Sequence, residues 1–334
     1  MGTLQRAVKM KAIVQDRYGP PSALELRDID RPVPGAGEVL VRVRAAAVNA
    51  LDWHFVRGDP YAARLSLGLR RPTVPVRGRD FAGVVEAVGP GVTTFGPGDE
   101  VYGEANGSFA EFAIAALTAI DRKPANLSFE QAAAIPLAGI TALMGIRDAA
   151  QVHKGQTILI NGASGGVGPY AIQLAKQFGA EVTAVCRTRN VELVRSVGAD
   201  HVVDYTREDF TRGGRRYDAV FDLVGNRSMS ECRRVLRPGG VLVLSGGGVY
   251  RGGSLLGPIG LIIKATLTRR FVRDRVVVLT ARPSSAHLAT LRELAEAGRL
   301  TPVIDRTYPL AEVAAAITYL EGEHARAKVV ITVS

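Results

Sequence analysis

Cysteine is scarce: the 334-residue chain holds two, Cys186 and Cys232. That excludes a disulfide framework and a four-thiolate zinc site, and it points to a reducing setting. No run of roughly 20 uninterrupted apolar residues is present to span a bilayer. The opening stretch, MGTLQRAVKMKAIVQ, lacks the apolar core of a secretory signal. The cytoplasm is therefore the expected location. Aromatic residues are 6% of the chain and tryptophan occurs once, at Trp53. Few platforms remain for base stacking, so nucleic acid is not an expected partner. The five histidines, at 54, 153, 201, 287 and 324, are scattered without metal-ligand spacing.

What is present is apolar mass punctuated by glycine. With 47% hydrophobic and 22% charged residues, the chain has material for a sizeable core. Residues 1–127 read as short β-segments (KAIVQ, EVLVRVRAAAV, GVVEAVG, DEVYG, FAEFAIA) separated by turn signals, which predicts a compact, mostly antiparallel β unit. From Ser128, a predicted N-cap, the texture changes to a helix-forming stretch, SFEQAAAIPLAGITALMGIRDAA. Strands TILIN, EVTAV, HVVDY, DAVFDLV and VLVLSG then alternate with helices near 166–178, 190–197 and 228–236. That alternation predicts an α/β fold with a parallel, doubly wound sheet over residues 128–275. Residues 276–334 return to mixed strand and helix, and their last strand is expected to rejoin the first unit.

The stretch TILINGASGGVGPYAIQLAK, Thr157 to Lys176, runs from strand through a glycine cluster into a helix. Glycines there permit positive φ and let backbone N–H groups approach a pyrophosphate at the positive end of the helix. Ala163, Ser164, Gly165, Gly166, Val167 and Gly168 are thus candidate cofactor-binding residues, with Ala163 in the usual first glycine position. The next strand ends in Cys186-Arg187-Thr188-Arg189-Asn190. An NAD site would carry a carboxylate there for the ribose 2′-OH, whereas Arg187 and Arg189, with Thr188 between them, suit a 2′-phosphate and hence NADPH (NADP+). Leu223 and Val224, after Asp222, and Ser245 with Gly246 fall at ends of parallel strands, where such sheets bind ligands. Gly162-Ala163-Ser164-Gly165-Gly166 also satisfies Gly-x-Ser-x-Gly, so a serine hydrolase using Ser164, with Asp222 and His287 or His324, is an alternative.

Taken together, these motifs resemble the medium-chain dehydrogenase/reductase superfamily, in particular its zinc-free quinone oxidoreductase (zeta-crystallin-like) branch. The resemblance is carried by Gly155-Gln156 through Lys176, by Ala47-Val48-Asn49-Ala50-Leu51-Asp52, by Gly78-Arg79-Asp80-Phe81-Ala82-Gly83, by Gly98 through Gly103, and by Pro136 through Ala142. It implies a GroES-like catalytic domain over 1–127, a Rossmann NADP-binding domain over 128–275 and a returning segment over 276–334. Zinc alcohol dehydrogenases place a Cys where Asn49 stands and a His-Glu pair where Arg79-Asp80 stands. The resemblance therefore implies zinc-independent hydride transfer from NADPH to a quinone or an α,β-unsaturated carbonyl, a small electrophilic acceptor. An NADP-dependent alcohol dehydrogenase or aldehyde reductase of the same fold is the alternative. By the same resemblance Asn49 would lie at the nicotinamide ribose and carboxamide, Thr141 near the nicotinamide, Tyr61 would supply an O–H to the acceptor, and Lys328 would stand near cofactor phosphate. Asp52 is expected to orient the Asn49 loop, and a homodimer is the family's usual assembly.

The formal net charge is +10, and it is localised. Residues 57–79 hold six arginines and one aspartate, and residues 251–282 hold six arginines, one lysine and one aspartate, so the remainder is nearly neutral. Both segments are expected to border the cleft mouth, where positive potential draws in a polyanionic cofactor. The apolar run SLLGPIGLII beside the second raises membrane-surface contact as a possibility, against a loop over the site or a subunit contact.

Overall fold

The computed structural model describes residues 8–245, 257, 260, 265, 274–323 and 325–334. The N-terminal strands behave as half-buried β-structure. In β3 (Glu38–Val48) Val39, Val41 and Val43 point inward while Arg42 and Arg44 face solvent, the two-residue period of a sheet with one wet face. It pairs antiparallel with β4 (Asp80–Val88), which continues to β5 (Glu100–Glu104) and β7 (Ile120–Arg122), while β6 (Phe112–Ala116) pairs with the first part of β3. The other strands of this seven-stranded sheet come from the far end of the chain: β14 (Ile304–Pro309) pairs parallel with β15 (Lys328–Thr332), and β15 pairs antiparallel with Ala45–Val48 of β3. The last strand thus rejoins the first unit. A separate two-stranded sheet joins β1 (Lys9–Val14) to β2 (Glu25–Asp30), the latter unsignalled because ELRDID carries charges on both faces and buries none of its residues.

The second sheet is wholly parallel, and its central strands are buried. Strands β8 (Thr157–Asn161), β9 (Glu181–Cys186), β10 (His201–Asp204), β11 (Tyr217–Asp222), β12 (Leu236–Leu244) and β13 (Arg275–Val278) lie in the order β10-β9-β8-β11-β12-β13. Strand β8 is buried at every residue, as expected for a strand covered on both faces. The order reverses between β8 and β11, which places a crevice at their carboxyl ends. Strand β13 belongs to this sheet, so the parallel layer runs past residue 275, beyond the expected boundary.

The helix-forming stretch after Ser128 is not one helix. Ser128 caps α3 (Phe129–Ala133) through a reciprocal capping box with Gln131. The chain then restarts as α4 (Pro136–Leu143), because Pro136 has no N–H to donate and suits a first-turn position. A wider turn over Met144–Ala149 follows, where Gly145 lies so close to the Phe221 ring that a Cβ would sit 2.3 Å from it. Helices α5 (Gly168–Gln177), α6 (Val191–Ser196) and α7 (Met229–Arg234) fall where the alternation predicts. In the first unit α1 (Ala50–Arg57) and the short α2 (Arg64–Leu67) occupy the connection between β3 and β4.

The buried Tyr170 on α5 donates a 3.0 Å hydrogen bond to the Ala134 carbonyl at the end of α3. Removing that hydroxyl in Tyr170→Phe should cost about 1–2 kcal/mol of stability, measurable by urea unfolding.

Candidate active site

The glycine turn explains why alanine is tolerated in its first position. The positive φ falls one residue earlier, at Gly162 (+84°), and Ala163 is outside the left-handed region. Ala163 is buried and donates its N–H to the Val185 carbonyl at the end of β9 (3.0 Å). Gly168 is sterically required: a Cβ there would meet the Ala163 carbonyl oxygen at 2.1 Å. Gly165 and Gly166 differ, since a Cβ at either would find its nearest protein atom at 3.4–3.5 Å. The middle of the turn therefore leaves room above its backbone at the N-terminus of the ten-residue α5, the arrangement that receives a phosphate. The residues present fit a dinucleotide pyrophosphate.

The crevice floor is stapled across the switch point. Asn161, closing β8, donates to Asp222 Oδ1 at the end of β11 (2.9 Å), and the same oxygen accepts from the N–H groups of Val224 and Gly225. Leu223 and Val224 are half-buried beside the turn, and the Val224 side chain lies against Gly162. Ser245 donates its N–H to the Asp222 carbonyl (2.9 Å) and is half-buried at the end of β12; Gly246 lies outside the described residues. Arg187, Thr188 and Arg189 are exposed just beyond β9. Thr188 donates to Asp204 Oδ2 (2.6 Å), and hydrogen bonds from the Thr188 and Thr206 hydroxyls hold that carboxyl below the usual range, with Arg207 at 3.6 Å.

A second cluster joins the two sheets. Lys328, the first residue of β15 and 2% exposed, directs its Nζ to Asn49 Oδ1 (2.6 Å) and to Asp80 Oδ2 (3.3 Å). Asp80 is completely buried and its other oxygen accepts from the Leu137 N–H (3.1 Å) in the first turn of α4, a position where the helix dipole favours an anion. Thr141 lies one turn further along α4, buried, its hydroxyl donating to the Leu137 carbonyl (2.6 Å). The neighbouring Ala327 donates its N–H to the Ser164 carbonyl (2.8 Å). Asn49 precedes α1, and its N–H is held by Asp52 Oδ2 (2.7 Å) in a capping box. Burial pushes the Asp52 carboxyl up to about 7, with the Asn49 N–H opposing. Burial and the Asp80 charge likewise raise Glu104, whose Oε2 accepts from Arg79 (2.6 Å).

Asn49, Asp52, Thr141 and Lys328 thus belong to one connected network, and Ser164 meets it through the backbone. Tyr61 does not join it: it is 47% exposed, in a turn of its own, with its ring under the Arg64 guanidinium at 4.8 Å. Lys328, expected near cofactor phosphate, stands beside the glycine turn and also has partners within the protein. Its ammonium is buried and committed to Asn49 and Asp80, so it reaches the glycine turn through its carbon stem, 3.5 Å from where a Gly166 Cβ would stand. Asp80 and Asn190 are the participants that motif reasoning missed. Asn190 donates to Ser164 Oγ (2.8 Å), and a lone Asp inside the apolar run DFAGVV is itself a signal, because a buried carboxylate needs a cation. With Ser164 accepting from Asn190 and the His287 ring facing Asp148 at 3.7 Å, the Ser-His pairing of a hydrolase is not formed by His287; His324 lies outside the described residues.

Two family models match in succession: an alcohol dehydrogenase GroES-like domain over residues 35–125 and a zinc-binding dehydrogenase over residues 197–331. A chloroplastic quinone-oxidoreductase of Triphysaria versicolor is 32% identical over 96% of this chain and 98% of its own. The chain belongs to the medium-chain dehydrogenase/reductase superfamily. Within that superfamily it is also similar to an NADPH-dependent alkenal/one oxidoreductase of Arabidopsis thaliana, 36% identical over 97% of this chain and 79% of the relative. The solved quinone oxidoreductase from Coxiella burnetii superposes with a TM-score of 0.85 at 32% identity, covering 98% of this chain and all of that one. The expected α/β architecture, a GroES-like unit plus a doubly wound Rossmann sheet, is the architecture observed, and the chain is an oxidoreductase of the nicotinamide-dependent type. Among the described residues no group of three or more His, Cys, Asp or Glu converges as metal ligands. The donor set at the Asn49 cluster does not fit zinc either, because an ammonium within hydrogen-bonding reach of both Asn49 and Asp80 repels a divalent cation.

Lys328→Met should strand the Asp80 carboxylate in the interior and cost about 3–5 kcal/mol; adding Asp80→Asn should recover part of that loss in thermal melts. Asp52 generates a pH signature. Its folded pKa lies above the unfolded value, so its contribution to stability is greatest below about pH 4 and is lost as pH rises towards 7. The stability difference between wild type and Asp52→Asn should therefore shift against wild type over that interval, as followed by melts across pH.

Proposed function

We propose that this chain is a zinc-independent, NADPH-dependent reductase that delivers hydride to a quinone or an α,β-unsaturated carbonyl. The observation that carries this reading is the Lys328 ammonium seated on Asn49 and Asp80, which puts a fixed protein cation at the join of the two units where a metal enzyme needs ligands. A bound nicotinamide cofactor supplies the hydride. The protein's own part is positional. The glycine turn receives the pyrophosphate, Arg187 and Arg189 meet the 2′-phosphate, and Thr141 with the Asn49 amide holds the nicotinamide end. The one carboxylate beside Thr188, Asp204, is bound by Thr188 and Thr206 and faced by Arg207, so its charge is offset locally. An already electrophilic acceptor needs positioning and no Lewis acid. The family resemblance alone assigns Tyr61 the O–H for an acceptor oxygen, since its exposed ring lies outside the Asn49 network. Similarity to relatives named as quinone and alkenal/one reductases supports the acceptor class. A homodimer working in the cytoplasm completes the reading.

Turnover of NADPH against a panel of quinones, enones and aldehydes tests it. Quinones and enones should be reduced at rates indifferent to chelators, and aldehydes poorly; an exclusive, chelator-sensitive aldehyde activity would refute it. Arg187→Ala with Arg189→Ala should weaken NADPH binding by about tenfold or more while leaving NADH nearly unchanged, the loss expected for charge-assisted hydrogen bonds to one phosphate.

A further inference from the structure

Residues 61–75 are the most unusual part of the described surface. Tyr61, Leu65, Leu69 and Val74 are 47%, 80%, 68% and 43% exposed, four of the eight large hydrophobic residues so exposed among those described. Between Pro60 and Arg77 the sequence has no acidic residue, while Arg64, Arg70 and Arg71 fall among the apolar ones. Arg70 and Arg71 are exposed beside Leu69.

This exposure is built rather than frayed. The Tyr18 hydroxyl donates to the Gly68 carbonyl (2.7 Å), Thr73 N–H closes onto the Leu67 carbonyl (2.9 Å), and Gly68 takes the positive φ (+107°) that turns the chain. At one end Arg64 donates to the Gly58 carbonyl (2.8 Å). At the other Gln15 N–H binds the Pro75 carbonyl (2.9 Å) and the Arg77 guanidinium binds the Val74 carbonyl. The loop is therefore held with Leu65, Leu69, Arg70 and Arg71 outward.

We infer that residues 61–75 form a docking edge for an anionic lipid bilayer, with Leu65 and Leu69 entering the headgroup layer and Arg70 and Arg71 meeting lipid phosphates. Apolar side chains interleaved with cations and free of carboxylates complement such a surface. A second copy of the chain is a poor occupant, since a two-fold contact here would set these arginines against their own copies. The edge follows directly on α1, which Asn49 opens, so a docked molecule would present its site to an acceptor dissolved in the membrane. That purpose rests on the reductase reading; the docking itself does not.

Co-sedimentation with phosphatidylcholine vesicles, with and without phosphatidylglycerol, tests the inference. The wild-type chain should pellet with the anionic vesicles alone and be released by salt. Arg70→Gln with Arg71→Gln should weaken partition about thirtyfold at low salt, and Leu65→Gln with Leu69→Gln about tenfold or more, while Arg299→Gln, an exposed arginine elsewhere, binds as wild type. Equal recovery with both vesicle types, or variants in the loop that bind like wild type, overturns it, as does a leucine variant that changes only the oligomeric state. Vesicle binding by a chain that oxidises no NADPH would leave the docking edge and remove the reductase reading; NADPH turnover without vesicle binding would do the reverse.

Discussion

A single buried ammonium organises this molecule. Lys328 Nζ sits between the Asn49 amide oxygen and the Asp80 carboxylate, out of contact with water. Such an arrangement contributes little net stability, because desolvating both charges offsets their attraction. Its effect is on register. The cation fixes Asn49 from the first sheet, the anion fixes the opening turn of α4, and the residue before the lysine binds the glycine turn. Three segments distant in sequence are thereby held to one point.

The crevice shows the same economy on its other wall. One oxygen of Asp222 collects an amide from Asn161 and two backbone N–H groups. This locks the ends of β8 and β11 side by side, where a doubly wound sheet opens for a ligand. The turn above can then remain lean, with Gly162 taking the unusual backbone angle and Gly168 the close contact. Gly165 and Gly166 keep open space above their backbone.

Most of the fold was legible in the sequence because its signals are local. Period-two strands, the strand-glycine-helix turn and the apolar parallel strands each announce themselves within a dozen residues. What was not legible depends on distant pairing. Strand β2 hides because both faces of ELRDID are polar or half-exposed, and the break at Pro136 was masked by the helix-forming residues around it. At the site, the turn residues and Asn49 were readable from their motifs. The partners Asp80 and Asn190 were not singled out, since nothing near them in sequence states what they meet. For the same reason the sequence did not state that Lys328 meets Asn49 and Asp80.

The position of β15 also has a consequence for how the chain is made. This strand lies between β14 and β3, closing the edge of Ala45–Val48. On a ribosome, the first sheet must wait with that edge open, and with Asp80 lacking its cation, until residues 328–332 emerge. The parallel sheet, complete at β13, meets no such delay. Vectorial synthesis thus finishes the cofactor-type unit first and assembles the site last, in the same step that completes the opening sheet.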